Sequence, residues 1–138
     1  MNMKKFIFSG ILASIIIFVV WFVVGFLIQQ IFPYDVMELG GMRKGTDVMM
    51  MLFFLHPFII GFAMALLYQY FGDSIMGNYR VKGRMFGILV WSVSSLPSIF
   101  VVYTSMDYPI GFTVNQIVSS VIYMLLAGIA IAKLDDIL

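Results

Sequence analysis

Apolar residues fall along this chain in four long runs, separated by three shorter stretches where charge, glycine and proline collect. The runs extend from Phe6 to Phe32, about Val48 to Phe71, about Met85 to Tyr103 and about Ile110 to Ala132. Each is near the roughly 20 residues that a helix, rising about 1.5 Å per residue, needs to cross about 30 Å of hydrocarbon. None shows the period-two alternation of a membrane-barrel strand. The pattern predicts an all-α, integral-membrane four-helix bundle forming one domain over residues 1–138. The first run stops at Pro33 and is longer than a bilayer needs, which predicts tilt or an end lying among headgroups. Lys4 and Lys5 precede it, but its length and the lack of an A-x-A-like site after it read as a retained anchor, not a cleaved signal. Thr46 or Asp47 is placed to cap the second run, and Gly72 lies just past its end.

Composition reinforces this. Hydrophobic residues make up 62% of the chain and charged ones only 11%, with a mean hydropathy of +1.05. A soluble domain carries about 25% charged residues and could not hide this much apolar surface in one small core. The absence of cysteine excludes disulfides, thiolate nucleophiles and cysteine-ligated metals. A net charge of +1 carries no signal of an acidic partner, and nucleic acid is not expected to be one. The distribution of charge is more informative. With four spans, Lys4, Lys5, Arg80, Lys82, Arg84 and Lys133 share one side, six of the eight basic residues. Arg43 and Lys44 lie on the other, outnumbered there by Asp35, Glu38, Asp47 and Asp107. The positive-inside rule then predicts a cell-membrane protein with both termini in the cytoplasm. Membrane lipids are the expected surroundings, and the "YRVKGR" stretch is expected to meet anionic headgroups.

Inside the spans, small and polar residues separate by depth. Pairs of small residues four apart occur in every span: Gly10/Ser14, Gly61/Ala65, Gly83/Gly87 and Gly128/Ala132. Such spacing lets helices approach closely, and all four pairs fall at mid-depth or toward the cytoplasmic side. The polar residues lie from mid-depth outward, apart from Gln69 near the cytoplasmic end of the second span: Gln29 and Gln30 in the first, His56 in the second, Ser94, Ser95 and Ser98 with Trp91 in the third, and Asn115, Gln116, Ser119, Ser120 and Tyr123 in the fourth. Hydrocarbon offers them no partner, so they are expected to face one another or a cavity. Two prolines fall at the same level. Pro57 cannot donate to the Phe53 carbonyl, nor Pro97 to that of Val93, so each is expected to kink its helix, with serine hydroxyls near the second break.

His56 is the only ionisable side chain deep in a span, which makes it a candidate site by default. Catalysis would require a partner, and no carboxylate lies at its depth. One histidine among amides and hydroxyls is a poor ligand set for zinc or copper, so no metal or other cofactor is expected. A structural role, with His56 hydrogen-bonded across the bundle to Asn115, Gln116 or a serine, stands beside the ligand-binding one. The first loop, "PYDVMELGGMRKGTD", reads either as a solvated connection or as a lid hinged at Gly40 and Gly41.

The segment "VKGRMFGILVW", Val81 to Trp91, resembles a pattern in small uncharacterised four-helix membrane proteins of prokaryotes. In these a Lys-Gly-x-x-Phe-Gly entry opens the third helix and a tryptophan follows. The resemblance implies architecture alone, since it brings no function with it.

The expectation is a non-enzymatic multi-pass protein with a polar cavity in its outer half, lined by His56, Ser95, Ser98, Asn115, Gln116, Ser119 and Gln29, and binding a lipid or small molecule. Two alternatives stay open. One is an accessory subunit of a larger membrane complex or a homo-oligomer, and the other is a membrane-embedded enzyme or transporter using His56.

Overall fold

A computed structural model describes all 138 residues. The chain is all-α, with four main helices and no strand: α1 Met3–Ile31, α2 His56–Phe71, α3 Tyr79–Ser105 and α4 Ile110–Ile137. Short 3₁₀ segments cover Val36–Glu38, Val48–Leu55 and Gly72–Ser74. With its flanking 3₁₀ turns, α2 forms a continuous helical stretch over Val48–Ser74, so four helices are long and apolar enough to cross a membrane. The helices outrun the apolar runs at several ends because polar caps extend them. Asn2 accepts from the Lys5 amide at the start of α1, and Asn78 accepts from the amides of Arg80 and Val81 at the start of α3. Asp47 caps Val48–Leu55 through the Met49 amide, as its position predicts.

Helices α1 and α4 form the central pair, with α2 packed on α1 and α3 packed on α4. The small-residue pairs lie where the backbones come closest. A side chain at Gly61 would run into the backbone and hydroxyl of Ser14 in α1. One at Gly83 would run into Gly128 and Ile129 of α4, and one at Gly87 into Met124. The buried core interleaves alanines with larger side chains and comprises Ala13, Ile17, Met64, Tyr68, Phe86, Tyr123, Met124, Ala127, Ile131 and Ala132. All of these belong to the half of the molecule nearer both chain termini. That end is also stapled. Lys5 Nζ donates to both the side chain and the carbonyl of Asp135 at 2.8 Å, and the Gln69 amide exchanges two hydrogen bonds with the backbone of Asn2, at 3.0 and 2.9 Å.

Toward the other end the array opens. The buried residues of α3 are Gly83, Phe86 and Gly87, and nothing beyond Gly87 in that helix is buried. Helices α2 and α3 meet through Tyr68 and Phe86, whose rings stand edge to face at 5.1 Å. Beyond that pair they diverge and leave a cleft.

Pro57 acts differently from the expected mid-helix kink. It stands in the first turn of α2, and the eight residues before His56 are 3₁₀. Its missing N–H would leave the Phe53 carbonyl without an α-helical donor, and its ring would crowd that oxygen. Tightening the preceding turns resolves both problems, because the His56 N–H donates to Phe53 instead. Aromatic contacts hold this segment on α1: Trp21 meets Phe53 with ring centroids 5.2 Å apart, and Phe22 stacks with Phe54 at 6.4 Å.

Candidate functional site

The cleft between α2 and α3 has a volume of about 380 Å³, with α4 as its floor. From α2 it is lined by His56, Ile59, Ile60, Ala63, Met64 and Leu67, and from α3 by Val90, Ser94, Ser95, Ser98 and Ile99. Gln116, Ser120, Tyr123 and Met124 complete it from α4. The alternating directions of the helices sort these residues by level. His56, Ser94, Ser95, Ser98 and Gln116 sit toward the loop end, while Ala63, Met64, Leu67, Val90 and Met124 sit deeper, toward the Tyr68–Phe86 contact that closes the cleft. A smaller hollow of about 170 Å³ adjoins it and shares Ser98, Ile99 and Gln116. Of the residues expected to line a cavity, the fold therefore brings together His56, Ser95, Ser98 and Gln116.

Some of the lining hydroxyls are already engaged. Trp91 Nε1 donates to Ser120 Oγ at 2.8 Å, and Ser120 Oγ donates to the Gln116 carbonyl at 2.5 Å. Ser94 Oγ donates to the Val90 carbonyl at 2.6 Å, and Ser95 Oγ contacts the Met124 sulfur at 3.8 Å. Pro97 lies inside α3 as expected, but none of these serines turns to the Val93 carbonyl that the proline leaves without a donor. Ser94 instead reaches the carbonyl of its own preceding turn, and Ser95 a neighbour across the cleft. The side chains of His56, Ser98 and Gln116 make no hydrogen bond and face the cleft.

The bond expected between His56 and Asn115, Gln116 or a serine does not form. His56 is exposed, its ring stacked on Phe53 at 6.4 Å and edge-on to Trp21 at 6.3 Å. The imidazole thus lies beside the aromatic seam with α1 at the edge of the cleft, with no hydrogen bond to α4. No acidic side chain lines the cleft, and the molecule holds no cluster of three or more His, Asp or Glu.

Asn115, Ser119 and Gln29 depart from the expected cavity lining. Gln29 is half-buried on α1, away from the cleft. Asn115 turns to the other side of α4, where its Nδ2 donates to Tyr34 Oη at 2.6 Å beside Gly25. Its Oδ1 is buried there without a partner. Ser119 is buried and donates to the Asn115 carbonyl at 2.5 Å. Successive helical residues are set about 100° apart, so adjacent Asn115 and Gln116 serve two different interfaces. Tyr34 was missed in the sequence. Its position one residue beyond Pro33, where α1 ends against the antiparallel start of α4, is the signal that could have found it.

None of the first loop's residues lines the cleft. It is drawn over the α1–α4 end, where Tyr108 Oη donates to the Gly40 carbonyl at 3.0 Å and Arg43 pairs with Asp47 at 3.1 Å. Gly41 makes the turn with a φ of 85°, a conformation that only glycine adopts easily.

Compared with protein-family models, curated proteins and solved structures, the chain matches none.

Proposed function

We propose that this chain is a multi-pass protein of the cell membrane, with both termini in the cytoplasm and a lateral cleft in the outer half that binds a lipid or small molecule. Binding, not covalent chemistry, is its role. The observation that carries this is the convergence of His56, Ser98 and Gln116, three polar side chains without hydrogen-bond partners, on one cleft about 380 Å³ in volume. In hydrocarbon, an unsatisfied polar group costs several kcal/mol. A bound molecule that hydrogen-bonds to these groups removes that cost, and the volume falls in the range of about 300–1,000 Å³ typical of small-molecule sites.

Because the chain has no cysteine, a single reporter thiol can be placed at will. Ala63→Cys puts one on the cleft wall. A membrane-soluble maleimide is expected to label it in lipid-free detergent and to label it several-fold more slowly after reconstitution with native lipid extract. Equal labelling rates under both conditions would sink the proposal. The orientation is tested separately: a fluorescent-protein reporter on the C-terminus should fold and fluoresce, and an alkaline phosphatase reporter there should stay inactive.

A second reading is supported by the bare length of α3 beyond Gly87, where no residue is buried. A helix of another subunit, or of a second copy, would cover that face. Native mass spectrometry from mild detergent should then find a complex, and a monomer at every concentration would speak against it.

A further inference from the structure

We infer that the occupant of the cleft is an uncharged, single-tailed amphiphile whose head carries hydrogen-bond-accepting carbonyls, the chemistry of an alkylated quinone; this rests on the binding role proposed above. Three features narrow the choice. No carboxylate, ammonium or guanidinium lines the cleft, so an ionic head would be desolvated there without a counter-charge. The free groups at its loop end can all donate: the Ser98 hydroxyl, the Gln116 amide and one imidazole nitrogen of His56. Below them the walls are apolar, formed by Met64, Leu67 and Met124, and suit a hydrocarbon chain.

Depth and size point the same way. Ser98 is seven residues from the end of α3 and Gln116 six from the start of α4, which places both about 10 Å inside the helix ends at 1.5 Å per residue. A phosphate head would have to leave the interface to reach that level, whereas a neutral carbonyl compound dissolves at it. A volume of about 380 Å³ holds a ring and the first part of one chain, and is small for the two acyl chains of a glycerolipid.

Both tryptophans adjoin the site and provide the readout. Trp21 lies 6.3 Å from the His56 ring, and Trp91 bonds the lining residue Ser120. The full chain in nanodiscs is titrated with a benzoquinone bearing a decyl tail, a quencher of indole fluorescence. Saturable quenching is expected, superimposed on the linear loss caused by partitioning into the bilayer. Decylbenzene and decyl phosphate should compete at least tenfold more weakly than unlabelled alkylquinone analogues. Gln116→Leu and Ser98→Ala should each weaken the saturable phase about fivefold, the loss of one hydrogen bond. Neither side chain is bonded in the free protein, so both variants should fold. Equal competition by decylbenzene would overturn carbonyl recognition while leaving the cleft a binding site. Stronger competition by decyl phosphate would overturn the uncharged class. Quenching that never saturates, with the Ala63→Cys thiol unprotected by either the quinone or native lipid, would overturn the inference and the binding role together.

Discussion

Replacing Gly83 by alanine adds one methyl group at the point where α3 crosses α4. The new Cβ would stand 2.6 Å from both the Gly128 carbonyl oxygen and the Ile129 amide nitrogen, against backbone that no rotamer change can move. Ordinary contact needs about 3.5–4.0 Å, so the two helices must part by about 1 Å locally. A gap of that size forfeits a quarter to a half of the dispersion energy of each contact it opens, and the core at this crossing includes Phe86 and Met124. Overpacking of this kind costs about 1–3 kcal/mol, and the better helix propensity of alanine offsets up to about 1 kcal/mol. A net destabilisation of about 1–2 kcal/mol is therefore expected. Gly25 is the internal control, because a Cβ there meets only the Asn115 amide at an ordinary 3.5 Å. Gly25→Ala should be neutral or stabilising by up to about 1 kcal/mol. Reversible unfolding in mixed micelles by added dodecyl sulfate, followed by far-UV circular dichroism, compares the two variants on one scale. If Gly83→Ala is as stable as Gly25→Ala within about 0.5 kcal/mol, the close crossing of α3 and α4 does not exist.

Pro57→Ala restores the donor that an α-helical turn requires, so the eight 3₁₀ residues before it should convert to α-helix. Spin labels at positions 49 and 62 should then approach by up to about 4 Å, the difference between 2.0 and 1.5 Å of rise per residue, and an unchanged distance would refute the explanation. Tyr34→Phe strips the Asn115 amide of its one side-chain bond and should cost about 1–3 kcal/mol, whereas Tyr34→Phe with Asn115→Leu should recover most of that in the same unfolding assay. Trp91→Phe removes the donor to Ser120 and should lower stability by about 1 kcal/mol. A double-mutant cycle on Lys5 and Asp135 should give a coupling of about 0.5–1 kcal/mol that shrinks with added salt, since both side chains are partly exposed.

Much of the fold was legible in the residues. The four runs from Phe6, Val48, Met85 and Ile110 became α1, the α2 stretch, α3 and α4, and Asp47 caps the segment it precedes. Small and polar residues also separate along the helices. The small residues Gly61, Gly83 and Gly128 mark the tight crossings, and the polar serines of α3 lie where that helix is bare. The site was legible in part. His56, Ser95, Ser98 and Gln116 share the cleft, while Asn115 and Ser119 belong to the opposite side of α4 and Gln29 to α1. Two local readings failed for a common reason: Pro57 was assigned to the middle of an α-helix, and the serines near Pro97 to the Val93 carbonyl. Each assumed ideal α geometry around a proline, whereas the chain used a 3₁₀ entry before Pro57, and near Pro97 Ser94 bonds the Val90 carbonyl, Ser95 contacts Met124 and Ser98 stays free.

The sequence by itself determined the number of long apolar helices, their approximate extents and where along each helix the polar and small residues lie. These follow from hydropathy, capping and rise per residue, which are properties of each segment alone. The tertiary structure decided which neighbour each residue meets. A turn of about 100° between successive residues sends Asn115 to Tyr34 and Gln116 to the cleft, and no periodicity within α4 distinguishes those two faces until α1 and α3 are docked on either side of it. The cleft itself exists only because α2 and α3 touch at Tyr68 and Phe86 and separate beyond, an outcome of four helices packing together that no single helix contains.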